Sequence, residues 1–384
     1  MQKVHLSWKS AIIAAAALSA MGGTAMAQLK TPDHVVVVIE ENHDADQLLG
    51  SSNAPFINSL FSTGLYFTNA HGTDHDSQPN YLELFSGDNP GLKGYNSQGA
   101  GADAFGYGGA VQQRYPTSVT PQAVTAGDTF SDNQNTLPFS TPNLGGNLLA
   151  AGKTFAGYSE GLPSVGFTGN SANGSNGNRA YVQKHNPWVQ WQGNGANQLP
   201  ASVNQSLTPF AAISTAGNFS ALPNISMVVP NEYNDMHDTV NVDGTYGPSA
   251  TDATTIQHGD AWLQSNLGAY AAWATTHNSL LITLWDENDY DLTNGNNISI
   301  SINGDPNLVK PGSYDGYVNH FDILRTLEQE YGVGLTGLAA TANTLPTDAN
   351  GVLVGNGAAV PEPASLSLIG LAGVALMGRR RRNN

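Results

Sequence analysis

The sequence has no cysteine, few charged residues and still fewer basic ones. Only 11% of its 384 residues are charged, with 14 lysines and arginines against 30 aspartates and glutamates. Without cysteine the chain cannot form disulfides, so its stability must come from a hydrophobic core. The length is ample for one large α/β domain.

The first residues differ in composition from the body of the chain. Lys3 and Lys9 precede an apolar stretch, which ends in small residues up to Ala27. This order is typical of a secretory signal peptide. We therefore predict that residues 1–27 are a signal peptide cleaved after Ala27.

The last residues form a second distinct segment. A Pro-Glu-Pro triplet beginning at Pro361 precedes a short apolar stretch and four arginines ending at Arg382. The apolar part is shorter than the roughly 20 residues that span a bilayer comfortably. The three parts in this order resemble the PEP-CTERM sorting signal of Gram-negative bacteria; an ordinary single-span anchor is the alternative. We predict a linker at residues 346–360 and a sorting tail at residues 361–384.

The resemblance of the tail implies where the protein goes and what it meets. An exosortase-type sorting machinery is the expected partner, and the membrane is contacted only through the tail before processing. The expected location is the periplasm, the cell surface or the extracellular matrix.

The body, residues 28–345 with the linker, is strongly acidic. Removing the two predicted end segments leaves 8 basic residues against 29 acidic ones, a formal charge of about −21. Such a surface repels nucleic acid and anionic membranes unless a cation intervenes. We expect no nucleic-acid partner.

Apolar stretches of strand length alternate with helical ones along the body. This alternation predicts an α/β fold with a mainly parallel central sheet and helices on both faces, in a single domain over residues 28–345. The predicted strands include residues 35–39, 154–158, 225–229 and 280–285, and the predicted helices include 144–151, 259–276 and one that begins near His320. Residues 94–137 and 166–182, rich in glycine, serine and asparagine, are predicted surface loops.

Three of the apolar strands end in polar clusters: Glu41-Asn42, residues 231–238 and Asp286-Glu287. In a parallel sheet the carboxyl ends of neighbouring strands share one edge, where ligands bind. Carboxylate and amide oxygens suit hard divalent cations, and histidines widen the choice toward zinc. The pattern predicts a divalent metal site, with Zn, Mg, Ca and Mn all open; plain solvent exposure is the alternative for any single strand end.

A serine precedes a Pro-Asn pair in the stretch "SQPNYLELFSG". Ser77 lies at a predicted helix start, where free N–H groups and the helix dipole favour a phosphate. A serine beside a divalent ion becomes a competent nucleophile, and Asn80 can donate its amide to a phosphoryl oxygen. The alternative for Ser77 is a helix cap.

Seven stretches, taken in order, are similar to one known family: "VVVVIEENHD", "APFINSL", "SQPNYLELFSG", "TFAGYSEGLP", "HNPWVQW", "VPNEYNDMHD" and "LITLWDENDYD". Across residues 33–335 the chain resembles the phosphoesterase family of bacterial secreted acid phosphatases and phospholipases C, in the alkaline-phosphatase superfamily. The resemblance implies an alkaline-phosphatase-like fold. It also implies Ser77 as the nucleophile and Glu41, Asn42, Asp286 and Glu287 as metal ligands. Glu287 departs from the pattern, since many relatives have aspartate there.

Further site residues follow from the same resemblance. Asp235 and His320 are expected to complete the metal site. His75, His237 and His185 are expected, with Asn80, to contact the substrate phosphate. Glu40 is expected to be a neighbour of the metal site and not a ligand.

The function implied is that of an exported metal-dependent phosphomonoesterase, similar to acid phosphatases, which forms a phosphoserine intermediate on a phosphate-ester substrate. Phospholipase C-type cleavage of a phosphodiester is the alternative within the same chemistry. A catalytically silent, cation-binding surface or matrix protein is the alternative from another class. The stretches "EENHD" and "SEGLP" favour the acid phosphatase branch.

Overall fold

A computed structural model of the chain describes residues 28–74, 77–88, 137–174, 179–237, 252–289 and 295–357. The predicted signal peptide, the sorting tail and most of the predicted loop at 94–137 lie outside the described residues. No helix within these described segments is long and apolar enough to cross a membrane.

The described residues form a mixed α/β fold, which confirms the predicted fold class. The strands are β1 (His34–Glu40), β2 (Leu65–His71), β3 (Phe155–Ser159), β4 (Ser171–Asn173), β5 (Arg179–Val182), β6 (Asn204–Ser206), β7 (Ile225–Val229), β8 (Ser279–Trp285), β9 (Asn297–Gly304), β10 (Gly312–Tyr314) and β11 (Val318–Asn319). The helices are α1 (Ala45–Leu48), α2 (Pro55–Thr63), α3 (Ser77–Ser86), α4 (Leu144–Ala150), α5 (Leu207–Ala216), α6 (Asp252–Ala274) and α7 (His320–Glu330).

The central sheet has nine strands, in the order β10-β2-β9-β8-β1-β7-β3-β6, with β11 also paired to β2. All pairs are parallel except those of β9, which runs antiparallel to β2 and β8. β1 lies at the centre, where Val36 is in register with Ser226 of β7 and Leu281 of β8. Because both faces of this strand are covered, its run of valines is fully buried.

The predicted strands and helices are found close to their predicted bounds. The exception is α6, which begins at Asp252, before its predicted start at residue 259. The polar segment 166–182 was predicted as a loop, and this is wrong for residues 171–173 and 179–182, which pair as the antiparallel strands β4 and β5. β4 is largely exposed, and although Tyr181 and Val182 of β5 are buried, strands this short carry no extended hydrophobic alternation to reveal them.

Residues 346–357, predicted as a linker, pack on the domain in the described part of the chain. The backbone of Leu353 exchanges hydrogen bonds with Leu308 and Lys310, at 2.8 and 2.9 Å. The Leu345 and Leu353 side chains are each 1% exposed. The end of the domain at residue 345 therefore stays a prediction, but the residues that pack on the domain extend to residue 357.

Truncation after Val360 should leave the fold intact, because the composition changes there and the removed residues resemble a sorting signal. Truncation after Thr344 should lower the melting temperature strongly, since it removes Leu345 and Leu353, and burial of one such side chain is worth about 1.5–3 kcal/mol. Thermal unfolding of both truncations, followed by circular dichroism, measures this. Insoluble protein from the truncation after Val360, or equal melting temperatures of the two truncated proteins, would contradict the prediction that the packed structure ends between these two positions.

Candidate active site at the carboxyl edge of the sheet

The order of the strands brings the three polar clusters together. β8, β1 and β7 are neighbours, so the residues that follow them meet at one edge. Backbone hydrogen bonds fix this junction: Glu41 N–H donates to the Asp235 carbonyl at 2.8 Å, and Asp286 N–H to the Glu40 carbonyl at 3.0 Å. Asn42 turns the chain away with a φ of +49°, and its N–H donates to Asp286 Oδ1 at 3.0 Å.

Ser77 reaches this junction from the first residue of α3. Its hydroxyl donates to Glu41 Oε2 at 3.0 Å and lies 3.4 Å from Glu287 Oε1. The side chain is only 2% exposed. The hydroxyl therefore faces the acidic side chains, and its hydrogen bonds are not those of a helix cap.

The acidic side chains at this junction repel one another. Glu41, Asp286 and Glu287 are each at most 1% exposed. Burial raises the pKa of the Asp286 carboxyl well above its usual range, and the negative charges of Glu41 and Glu287 raise it further. Asp286 Oδ2 is buried without a hydrogen-bond partner among the described residues. A cation at this point would satisfy that oxygen and offset the repulsion, and carboxylate and amide oxygens are suitable ligands for it. Metal binding by Glu41, Asn42, Asp286 and Glu287 stays a prediction.

Glu40, expected to be a neighbour of the metal site, is the last residue of β1. It is fully buried, and neither of its carboxylate oxygens has a hydrogen-bond partner among the described residues. Burial, followed by the charges of Glu160, Glu41 and Asp260, raises its pKa well above the usual range.

His185 stands beside Glu41 and links it to a second acidic pair. Its Nε2 lies 3.2 Å from Glu41 Oε1, and its Nδ1 lies 3.3 Å from Glu232 Oε1 and 3.8 Å from Asp235 Oδ2. Asp235 thus contacts the ring nitrogen that faces away from Glu41. Tyr81, one turn after Ser77 on α3, stacks on the His185 ring and donates its hydroxyl to Glu41 Oε1.

His320, predicted as a metal ligand, has both ring nitrogens in polar contacts. Its Nε2 is 3.1 Å from the Trp285 carbonyl, which can only accept, so Nε2 carries the proton. Its Nδ1 is 3.2 Å from the Thr73 hydroxyl. Burial lowers the pKa of His320 to about 4, so the ring is neutral. Through these two contacts His320 ties β8 and the loop before Ser77 to the start of α7. Metal binding by His320 stays a prediction.

Asn80 holds the same loop. Its Oδ1 accepts the N–H groups of Thr73 and Asp74, each at 2.9 Å, and its Nδ2 donates to the Asp74 carbonyl at 2.9 Å. These contacts position the chain that leads to Ser77. Contact of Asn80 with substrate phosphate stays a prediction.

Two predicted histidines have roles that the described contacts leave open. His75 lies outside the described residues. His237 is two residues beyond Asp235, partly buried, and its N–H donates to Asp235 Oδ1 at 3.0 Å. Its contact with a phosphate, like that of His185, stays a prediction.

Comparison with known proteins identifies the family. The family model of the phosphoesterase family matches residues 51–334, and that of the PEP-CTERM protein-sorting motif matches residues 359–382. The chain belongs to the phosphoesterase family. A phosphatidylinositol-3-phosphatase of Mycobacterium tuberculosis is 36% identical over 323 residues, which cover 83% of this chain and 84% of that protein.

Other proteins similar to this phosphoesterase have lower sequence identity. An acid phosphatase of Aspergillus fumigatus is 23% identical over 306 residues, or 77% of this chain and 54% of that protein. A solved structure of an alkaline phosphatase superfamily protein from Vibrio parahaemolyticus has a TM-score of 0.49 and 12% identity, and covers 82% of this chain and 71% of that one. The match to the family model and the similarity to these two phosphatases show that the chain is a phosphoric ester hydrolase.

Sequence reasoning missed two residues of the phosphoesterase site, Tyr81 and Glu232. A signal existed for each. Tyr81 is four residues after Ser77 and so lies on the same face of the helix, and Glu232 belongs to the polar cluster after β7.

Tyr81→Phe should weaken metal activation of the phosphoesterase. The change removes the hydroxyl that orients Glu41 but keeps the ring that stacks on His185. Loss of such a supporting hydrogen bond typically costs about 10–100-fold in metal affinity or activity. The metal concentration for half-maximal phosphatase activity should rise by roughly this factor, with little change in melting temperature.

Tyr181→Phe is the matched control for this test. Tyr181 is also buried, yet its hydroxyl has no hydrogen-bond partner among the described residues. Its variant should keep the wild-type metal dependence. If the two phenylalanine variants respond to metal alike, Tyr81 has no positioning role.

Proposed function

We propose that this phosphoesterase is an exported, metal-dependent phosphomonoesterase with Ser77 as its nucleophile and a phosphoserine intermediate. The observation that carries the proposal is the position of the Ser77 hydroxyl. It is buried at the first residue of α3 and contacts Glu41 and Glu287 at 3.0 and 3.4 Å. A hydroxyl at a helix start and in contact with carboxylates is suited to attack a phosphate ester held beside a cation.

The start of α3 supports binding of the phosphate. The first N–H groups of a helix have no partners within the helix, and the dipole favours an anion at this end. Ser77 presents its oxygen at the same end. The phosphorus of a bound ester would therefore lie near the attacking oxygen.

The carboxylates around Ser77 support a metal requirement. Glu41, Asn42, Asp286 and Glu287 would hold a divalent cation, and Asp286 Oδ2 has no other partner among the described residues. When bound, such an ion offsets the charge of the phosphate and favours the deprotonated form of a nearby serine. Glu41 accepts a hydrogen bond from the Ser77 hydroxyl. This contact holds the seryl oxygen beside the proposed metal site.

A monoester substrate is supported by the relatives. Two similar proteins carry phosphatase names, one a phosphatidylinositol-3-phosphatase and the other an acid phosphatase. The presence of Ser77, Asn42 and Asp286 together argues against a silent cation-binding protein. Export is supported by the sorting motif at residues 359–382.

An assay panel tests the substrate class directly. The purified chain is given p-nitrophenyl phosphate, bis-p-nitrophenyl phosphate and phosphatidylcholine, each after chelation and after metal is added back. Hydrolysis of the monoester well above that of both diesters is expected. Preference for either diester would replace the monoesterase assignment with a phosphodiesterase.

Chelation should abolish activity and lower thermal stability together. Once a cation leaves, the buried carboxylates Glu41, Asp286 and Glu287 repel one another, and a ligand bound only to the folded state no longer stabilises it. Turnover and melting temperature are measured before and after EDTA dialysis, and again after metal add-back. Full activity in protein shown by elemental analysis to be metal-free would end the metal hypothesis.

Ser77→Ala should reduce turnover by several orders of magnitude and leave the fold intact. The change removes the covalent nucleophile, so binding and electrostatic assistance alone remain. Turnover, metal content and melting temperature are measured on one preparation.

Ser86→Ala is the control, at the other end of the same helix. Ser86 is also buried, and its hydroxyl donates to the Leu82 carbonyl at 2.9 Å. The Ser86→Ala variant should keep wild-type turnover. A folded, metal-loaded Ser77→Ala protein that retains more than about a tenth of wild-type turnover would exclude the nucleophile role.

A further inference from the structure

The first and the last described segments of the chain lie against each other. The backbone N–H of Lys30 donates to the Gly351 carbonyl at 3.4 Å. A Cβ atom on Gly351 would lie only 2.1 Å from the Gln28 carbonyl oxygen, so the two backbones are in close contact. Residues 28–33, which lead into β1, therefore pack on residues 346–357.

This contact lies at the edge of the sheet opposite the candidate active site. Lys30 comes shortly before His34, where β1 begins, whereas Glu41 directly follows the end of β1. A strand of seven residues spans roughly 23 Å. About this distance therefore separates the contact between the two segments from the carboxyl edge that carries Ser77.

The described chain also ends at this opposite edge. The N–H groups of Asn356 and Gly357 both donate to the Ser313 carbonyl at 2.9 Å. Ser313 of β10 is in register with Tyr66, the second residue of β2. β2 runs in the same direction as β1, because both β2 and β8 are antiparallel to β9 and β8 is parallel to β1. Tyr66 thus lies near the edge where β1 begins, which we call the exit edge.

Only a short stretch separates Gly357 from the apolar part of the tail. Residues 358–363, "AAVPEP", lie between them, and a stretch of this length spans at most roughly 21 Å when fully extended. The apolar residues 364–377 are followed, after one glycine, by four arginines. Basic residues next to an apolar segment favour its retention at a membrane. So short a tether keeps the exit edge closer to the membrane than the rest of the domain.

The charges at the exit edge are compatible with a bilayer surface. Three of the four lysines in the described segments lie just before the starts of β1, β3 and β10, and so at this edge: Lys30, Lys153 and Lys310. Aspartates lie there as well, among them Asp33 and Asp348. The exit edge therefore carries both signs, whereas the predicted body as a whole has a formal charge of about −21. Lysines near a bilayer are attracted to anionic headgroups.

We propose that the tail holds this domain on a membrane with the exit edge toward the lipid and the candidate active site toward the medium. The partner surface is a bilayer that contains anionic lipid. The predicted signal peptide fits the same orientation, since it would join the domain at Gln28, also on the exit edge. The site would then act on phosphate esters dissolved in the medium and not on lipids of the same membrane, a consequence that rests on the proposed function.

Two single-cysteine variants test the orientation, because the chain has no cysteine of its own. Asp46→Cys places a dye on α1 at the site edge, where the neighbouring Gln47 donates to Asp289, beyond the end of β8, at 3.3 Å. Asn350→Cys places the same dye at the exit edge. Both residues are exposed. Each labelled full chain is incorporated into vesicles of phosphatidylcholine and phosphatidylglycerol that carry an acceptor dye on their headgroups.

Energy transfer to the bilayer should be more efficient from residue 350 than from residue 46. Equal transfer from the two positions, or more from residue 46, would overturn the proposed orientation. The same variants truncated after Val360 are the control and should show no transfer. Transfer that survives the truncation, or that is absent from both full chains, would also overturn the proposal, because the tail would then not hold the domain on the membrane.

Phosphatase assays on the same vesicles test the consequence for the substrate. Dissolved p-nitrophenyl phosphate should be hydrolysed equally fast by the anchored full chain and by the chain truncated after Val360. Dioleoyl phosphatidic acid in the vesicles should be hydrolysed no faster by the anchored chain, whereas a site that faces the lipid would gain about 100-fold or more from the raised local concentration. Such a gain would overturn the orientation. No hydrolysis of either ester by either protein would overturn the proposed function, and energy transfer would still decide the orientation.

Discussion

Mutual repulsion of buried carboxylates at the ends of adjacent strands is the constraint on which the site depends. Glu41 and Asp286 follow strands paired in register, so their backbones are held together by the sheet and cannot separate. The apolar strands supply the packing energy that keeps these acids in place. This repulsion raises the free energy of the folded state. Binding of a cation between the carboxylates would lower it again, which favours binding.

Side chains on helices complete what the strands begin. α3 carries Ser77 to the acids and, one turn on, places Tyr81 against both Glu41 and His185. The loop before Ser77 is held by Asn80 and reaches His320, which in turn bonds to the end of β8. Ser77, the proposed nucleophile, is thus positioned by packed side chains on regular elements, the arrangement that holds a reactive group most accurately.

Much of the fold could be predicted because its central strands are apolar on both faces. β9 was not predicted, although its sequence carries a signal for a strand. Its sequence "NISISING" alternates isoleucine with serine, yet Ser299 and Ser301 are also buried. Their hydroxyls lie near Tyr66 and Asn303, at 3.3 and 3.2 Å. The alternation predicts a strand with one buried face, but it does not reveal that hydrogen bonds allow the serine face to be buried as well.

The sequence by itself determined the acids at three strand ends, the serine at a helix start and the family, because each is recorded in local order. Only the tertiary structure decided how they combine. Asp235 contacts His185, and His320 has both nitrogens in contact with Trp285 and Thr73. Such choices depend on distances between residues far apart in the chain, which strand order and packing set and no local pattern encodes.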